Sequence, residues 1–135
     1  MRAVLDPNVL IASLLSREGA PARLVSSWLA GAFDMVASEN LLEELERALT
    51  YPKLRDRIAT GEAGEFVAML RHTAMLASDP SAVASRSEDP NDDYLLALAE
   101  QERAILVSGD RHLLALADRF PVVTARAFLE TLTEP

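Results

Sequence analysis

Short apolar runs closed by turn-forming residues, each followed by a longer stretch of helical periodicity, recur along the whole chain and restrict it to a sheet interleaved with helices. Ala3-Val4-Leu5 is the first run, ended by Asp6-Pro7-Asn8, and a helix is expected from about Val9 to Ser16. Gly19-Ala20-Pro21 breaks it. Leu24, Val25, Trp28 and Leu29 then recur at helical spacing up to a stop at Gly31, and Phe33 to Ala37 reads as the second strand. Ser38 is a good N-cap for a helix with Leu41, Leu42, Leu45, Ala48 and Leu49 on one face, closed by Tyr51-Pro52.

The second half repeats the pattern. A short basic helix, Lys53 to Ile58, precedes Thr60-Gly61, and Phe66, Val67, Leu70 and Ala74 mark a helix ending near Ala77. Ser78 to Ser87 is polar except for Ala82-Val83-Ala84, a candidate strand. Asp89-Pro90 is an N-cap with proline at the first helical position, opening a helix to about Glu102. Ala104 to Val107 is a strand, Gly109-Asp110 a turn, Leu113 to Ala117 a helix, Val122-Val123 a strand and Ala125 to Leu132 the closing helix. Apolar strands alternating with helices imply an α/β fold, a mostly parallel sheet covered on both faces, whose ligand site lies outside the carboxyl ends of the strands.

At 135 residues, half of them apolar, the chain suits one domain spanning residues 1–135. It has no run of eighteen apolar residues and no signal-peptide pattern, so no membrane association and a cytoplasmic location are expected. Without cysteine, any metal must sit on oxygen or imidazole ligands, and the only imidazoles are His72 and His112. A net charge of −8 argues against a general nucleic-acid coat protein. It is compatible with carboxylates gathered in a metal site and arginines around its rim; of the thirteen basic residues only Lys53 is lysine.

Asp6 closes the first strand and Asp110 stands just past Ile105-Leu106-Val107, so both project from the ligand-binding edge. Each also suits an N-cap role for the helix that follows. With the Ser38 helix centred on Leu45, Glu43 faces water, while Glu44 flanks the core near the amino-terminal end. A surface pairing of Glu44 with an arginine is the alternative. Asp92 lies three and seven residues before Leu95 and Ala99 on the inner face, where it also suits the first helical turn, whereas Asp93 is expected to point outward. Carboxylates converging at one edge repel each other unless a cation sits among them, and oxygen ligands with open positions suit Mg²⁺ or Mn²⁺, which polarise a phosphate and activate water.

The segments Val4-Leu5-Asp6-Pro7-Asn8-Val9-Leu10, Ser38 with Leu42-Glu43-Glu44-Leu45, Asp89-Pro90-Asn91-Asp92-Asp93 with Leu95 to Ala99, and Leu106-Val107-Ser108-Gly109-Asp110 together resemble the PIN domain. The likeness covers nearly the whole chain and is greatest to the branch of VapC-like ribonucleases, the toxins of type II toxin–antitoxin pairs. It implies a three-layer α/β/α sandwich around a five-stranded parallel sheet, often dimeric, with Mg²⁺ or Mn²⁺ in an acidic pocket and endonuclease action on RNA. Asp6, Glu44, Asp92 and Asp110 match the family's acidic ligands, Asn8 the polar residue that helps fix the first Asp, and Ser108 its hydroxyl position.

Two positions depart from that pattern. Pro7 replaces a small hydroxyl residue, losing a hydrogen bond and stiffening the turn, and His112 stands where related chains often carry another acid. As a lone histidine, His112 reads as incidental more readily than as a ligand. Arg17, Arg86 and Arg111 near the ligand edge are candidates for holding RNA phosphates, with solvation as the alternative, while Lys53, Arg55 and Arg57 are expected to face water. Trp28 and its neighbours read as core packing, or, where exposed, as a dimer or antitoxin surface. A metal-dependent endoribonuclease is the first expectation. A non-catalytic RNA-binding or antitoxin-binding module is the second, and a phospho-acceptor domain is disfavoured because no lysine lies late in the chain.

Overall fold

Five strands and eight helices alternate along the residues described in the computed structural model, 1–81 and 89–133: β1 (Arg2–Leu5), α1 (Pro7–Leu15), α2 (Ala20–Leu29), β2 (Asp34–Ser38), α3 (Glu39–Leu49), α4 (Pro52–Arg55), α5 (Thr60–Thr73), β3 (Met75–Ala77), α6 (Pro90–Gln101), β4 (Ile105–Val107), α7 (Arg111–Leu114), β5 (Val122–Val123) and α8 (Ala125–Thr133). All strand pairs are parallel, in the order β3-β2-β1-β4-β5. The chain moves outward from β1 to β2 and β3, then returns past β1 to β4 and β5. Right-handed crossovers therefore place the helices of the outward path on one face and α6 and α7 on the other. The direction reverses at β1, so the crevice between the carboxyl ends of β1 and β4 is the topological switch point where such sheets bind ligands.

The three central strands are apolar on both faces because both are covered. Ala3, Val4, Leu5, Met35, Val36, Ala37, Leu106 and Val107 are all buried. Trp28 packs in the core, with Leu24 and Val25 beside it and Leu29 left in solvent. α8 packs against α2. Phe128 of α8 meets Phe33 edge to face at a centroid distance of 5.1 Å, a geometry that matches the positive ring edge to the negative face.

Several helices begin with a cap and a proline. Asp6 caps α1 by accepting from the Asn8 amide with Pro7 in the first turn, and Asp89 caps α6 by accepting from the Asn91 amide with Pro90 in the first turn. The same tripeptide, Asp-Pro-Asn, opens both helices. Proline is favoured there because its ring presets φ and its missing N–H would have no partner in a first turn. Pro7 is thus a helix-starting residue, which accounts for its departure from a small hydroxyl residue on local grounds.

Three expected elements need correction. The helix expected to end near Ala77 is shorter: α5 stops at Thr73, Ala74 is extended and Met75–Ala77 forms the edge strand β3 against β2. Its sequence is equally suited to a helix, and only pairing with Val36, Ala37 and Ser38 makes it a strand. The candidate strand Ala82-Val83-Ala84 lies outside the described residues, as does Arg86. α4 and α7 each start earlier than expected, α4 at Pro52 and α7 at Arg111, because a proline and an Asp110 cap respectively set their first turns. Among the described residues no helix is long and apolar enough to cross a membrane. Phe128→Ala should empty the contact with Phe33 and cost about 3–5 kcal/mol, read as a lower midpoint in urea unfolding.

Candidate active site

Leu5 lies opposite Val107 in the β1–β4 register, so the next residues, Asp6 and Ser108, leave the sheet side by side. The Asp6 amide donates to Val107 O at 2.9 Å and extends the pairing by one bond. Ser108 is fully buried, and its hydroxyl donates to Asp6 Oδ2 at 2.8 Å while accepting from the Asp110 amide at 3.0 Å. Asp6 Oδ1 takes the Asn8 amide at 3.0 Å. Asp110 caps α7, accepting from the His112 amide at 2.7 Å. Asp6 and Asp110 are therefore N-caps that still keep acceptor positions free for a ligand, because a carboxylate has about four and a cap uses only one. Asn8 fixes Asp6 through its backbone, and the residue borders a neighbouring cleft.

The other two acids come from helices. Asp92, on the first turn of α6, is 6% exposed, as is Asp93. The expectation that Asp93 faces outward fails because Leu95, Leu96, Leu98 and Ala99 make a buried arc wider than a single stripe. Leu96, three residues after Asp93, was the available signal. Glu44 on α3 is half-buried while Glu43 is exposed, as helical phase requires. Ser38 caps α3, accepting from the Leu41 amide, and its hydroxyl bonds the Tyr94 hydroxyl. Tyr94 in turn donates to Asp79 Oδ1 at 2.5 Å, and Asp79 Oδ2 receives the Asn40 amide at 3.3 Å. One phenol thus joins the helix that carries Asp92 to the cap of the helix that carries Glu44.

The acids perturb one another. Burial raises the Asp6 pKa and Asp110 pushes it further, against the pull of the Asn8 amide and the Ser108 hydroxyl. Burial and then the charges of Asp6 and Asp89 raise Glu44, partly offset by Arg47. Asp92 is pushed up to about 6, by burial first and then by Asp110, Asp89 and Asp6, with His112 opposing. Outside the cluster, burial raises Tyr94, and its bond to Asp79 adds to this. For Asp79 burial is outweighed by hydrogen bonds from Ser38, Tyr94 and the Asn40 amide, which lower its pKa.

Electrostatic coupling links Asp6 with Asp110, Glu44 with Asp6, and Asp92 with Asp6 and Asp110, and it also reaches Asp89 and His112. Arg111 is exposed on the first residue of α7, beside Asp110. Arg17 is exposed between α1 and α2 and takes no part in the interactions of the acids among the described residues. Lys53, Arg55 and Arg57 face solvent. Among the described residues no three His, Asp or Glu side chains converge closely enough to form a ready metal shell. The donor chemistry nonetheless suits a hard divalent cation: the partners are carboxylate oxygens, several desolvated and mutually repelling, and a cation among them would relieve both costs.

A five-stranded parallel sheet between helices, with acids at its switch point, defines the class as an α/β fold of the PIN type. The chain belongs to the PIN domain family, whose model matches residues 2–112. An uncharacterised protein of Methanocaldococcus jannaschii is 22% identical over 118 residues, covering 87% of this chain and 76% of its own. Among solved structures, PAE2754 from Pyrobaculum aerophilum aligns with a TM-score of 0.66 at 16% identity, covering 98% of this chain and 89% of that one. VapBC2 from Rickettsia felis, bound to a DNA fragment from their promoter, aligns with a TM-score of 0.61 at 13% identity, covering 92% and 98%. At these identities the structural likeness establishes the fold.

Two outcomes follow from the site's geometry. Ser108→Ala strands the Asp110 amide and frees Asp6 Oδ2, so it should cost about 1–3 kcal/mol in urea unfolding. Asp92 binds a proton in the folded protein that the unfolded chain, with its Asp pKa of 3.8, has already released by about 6. Stability of the chelator-treated protein should therefore fall as pH rises from 3.8 through about 6, and Asp92→Asn should flatten that slope and raise the melting temperature at neutral pH.

Proposed function

We propose that this protein is a metal-dependent endoribonuclease that hydrolyses RNA phosphodiester bonds with Mg²⁺ or Mn²⁺, and that it acts in the cytoplasm as the toxin of a toxin–antitoxin pair. What carries the reading is the geometry at the carboxyl ends of β1 and β4, where the β1–β4 register sets Asp6 beside Ser108 and the Ser108 hydroxyl ties Asp6 to the Asp110 turn, with the charges of both acids reaching Asp92. Clustered buried carboxylates cost stability, and a protein that keeps them has a use for the field they create. Membership of the PIN family and the likeness to VapBC2 support the nuclease and the antitoxin partner respectively. A homodimer is the expected assembly.

Asp6, Asp92, Asp110 and Glu44 would hold the cation, which when bound neutralises charge on the phosphate and activates water. The chain's own contributions are distinct. Ser108 and the Asn8 amide fix the Asp6 carboxylate in one orientation, so it meets an incoming ligand without reorganising. In the cation-free protein Asp92 titrates near 6, so a cation bound there would displace a proton from it. Arg111 and His112 would contact a phosphate beside Asp110, a reading supported by their exposure on the first turn of α7.

A second reading keeps the fold as a non-catalytic RNA-binding or antitoxin-binding module, and the lack of a ready three-ligand shell among the described residues favours it. One set of measurements separates the two. Purified protein with single-stranded RNA and Mn²⁺ should release internal fragments, and Asp6→Ala should reduce cleavage to background. Cleavage that persists in Asp6→Ala would sink the nuclease reading, and RNA binding without any calorimetric Mn²⁺ signal would favour the second.

A further inference from the structure

Beside the acidic cluster lies a cleft of about 560 Å³ bordered by Asn8, Asn40, Asn91, Tyr51, Tyr94 and Arg47, together with Glu43 and Glu44. It is continuous with the cluster through Glu44 and through the two Asp-Pro-Asn turns, since Asn8 is two residues past Asp6 and Asn91 directly precedes Asp92. Each asparagine occupies the second residue of its helix, α1, α3 or α6. Their backbone amides are held by Asp6, Asp79 and Asp89, which fixes where each side chain starts.

All three asparagines are exposed, and among the described residues no hydrogen bond engages the side-chain amide of Asn8, Asn40 or Asn91. Asparagine is a poor residue inside a helix, and the capping is done by Asp6, Ser38 and Asp89, so nothing local requires three of them here. A carboxamide offers one acceptor and two donors and pairs in two-point fashion with the edge of a nucleobase. Tyr51 adds an exposed ring at 56% accessibility, a stacking surface for a planar ligand.

The charge of the cleft selects among the parts of a nucleotide. Among the described residues Glu43 and Glu44 face a single Arg47 there, a balance that disfavours a phosphate and accepts a neutral, hydrogen-bonding plane. We infer that this cleft binds one unpaired base of a single-stranded RNA, next to the bond presented to the acids, with Asn40 and Asn91 reading its edge and Tyr51 stacking on its face. The inference rests on the nuclease reading for the identity of the strand. The base must be unpaired because its hydrogen-bonding edge is otherwise occupied by its complement.

The test compares binding of two fluorescent oligomers to the full chain by anisotropy, in Ca²⁺ to limit cleavage: a mixed-sequence single-stranded RNA and the same backbone without bases. Wild type should bind the base-bearing strand about ten-fold more tightly. The Asn40→Ala/Asn91→Ala double variant should shrink that gap to about two-fold or less, as should Tyr51→Ala, an independent change at an exposed position. Equal affinity of wild type for the two oligomers, or a gap unchanged in both variants, would overturn the cleft's assignment. The nuclease reading is judged separately by Mn²⁺-dependent cleavage: cutting without base discrimination removes the cleft alone, and base discrimination without cutting removes the nuclease alone.

Discussion

The pairing of β1 with β4, with Leu5 opposite Val107, is the constraint from which the site follows. Parallel neighbours end at the same edge, so one register decides which residues of two distant segments emerge together. Here it sets Asp6 beside Ser108, 102 residues away in sequence. The serine hydroxyl then serves two masters, donating to Asp6 and accepting from the Asp110 amide. A slip of one residue would turn every side chain of β4 to the opposite face and break both bonds.

The acids are held at a cost in stability. Burial and mutual repulsion raise Asp6, Glu44 and Asp92 together, and the cluster is kept in place by groups with other work to do. Asp6, Asp89 and Asp110 cap α1, α6 and α7, so the backbone amides of three helix starts partly compensate their charge. The hydroxyl chain from Ser38 through Tyr94 to Asp79 adds a cross-link between α3 and α6. A cluster built this way is rigid before any ligand arrives, which is the condition under which electrostatic stabilisation is strongest.

Helix starts therefore have a double role at this edge. Asp6 and Asp110 are caps as well as acids of the cluster, and the residues two positions past the caps Asp6, Ser38 and Asp89 are the asparagines that border the neighbouring cleft. The repeated Asp-Pro-Asn is a compact way to achieve this, since proline fixes the entry angle of the helix and sends the flanking side chains to nearby but separate places.

Local sequence already determined the alternation of strand and helix, the strand-end position of Asp6 and Asp110, and the helical phase that separated Glu44 from Glu43, because these depend on periodicity and turn chemistry within a few residues. Asp92 was legible for the same reason. The burial of Asp93, the strand at Met75–Ala77, the nearness of Asp89 to Glu44 and of His112 to Asp92, and the Tyr94 link were decided only by tertiary structure. Each of these depends on which element packs alongside, and a single sequence carries no record of its neighbours in space. Pro7 shows the boundary between the two: a departure when judged by position in the family pattern, it is an ordinary first helical residue once α1 is seen to begin there.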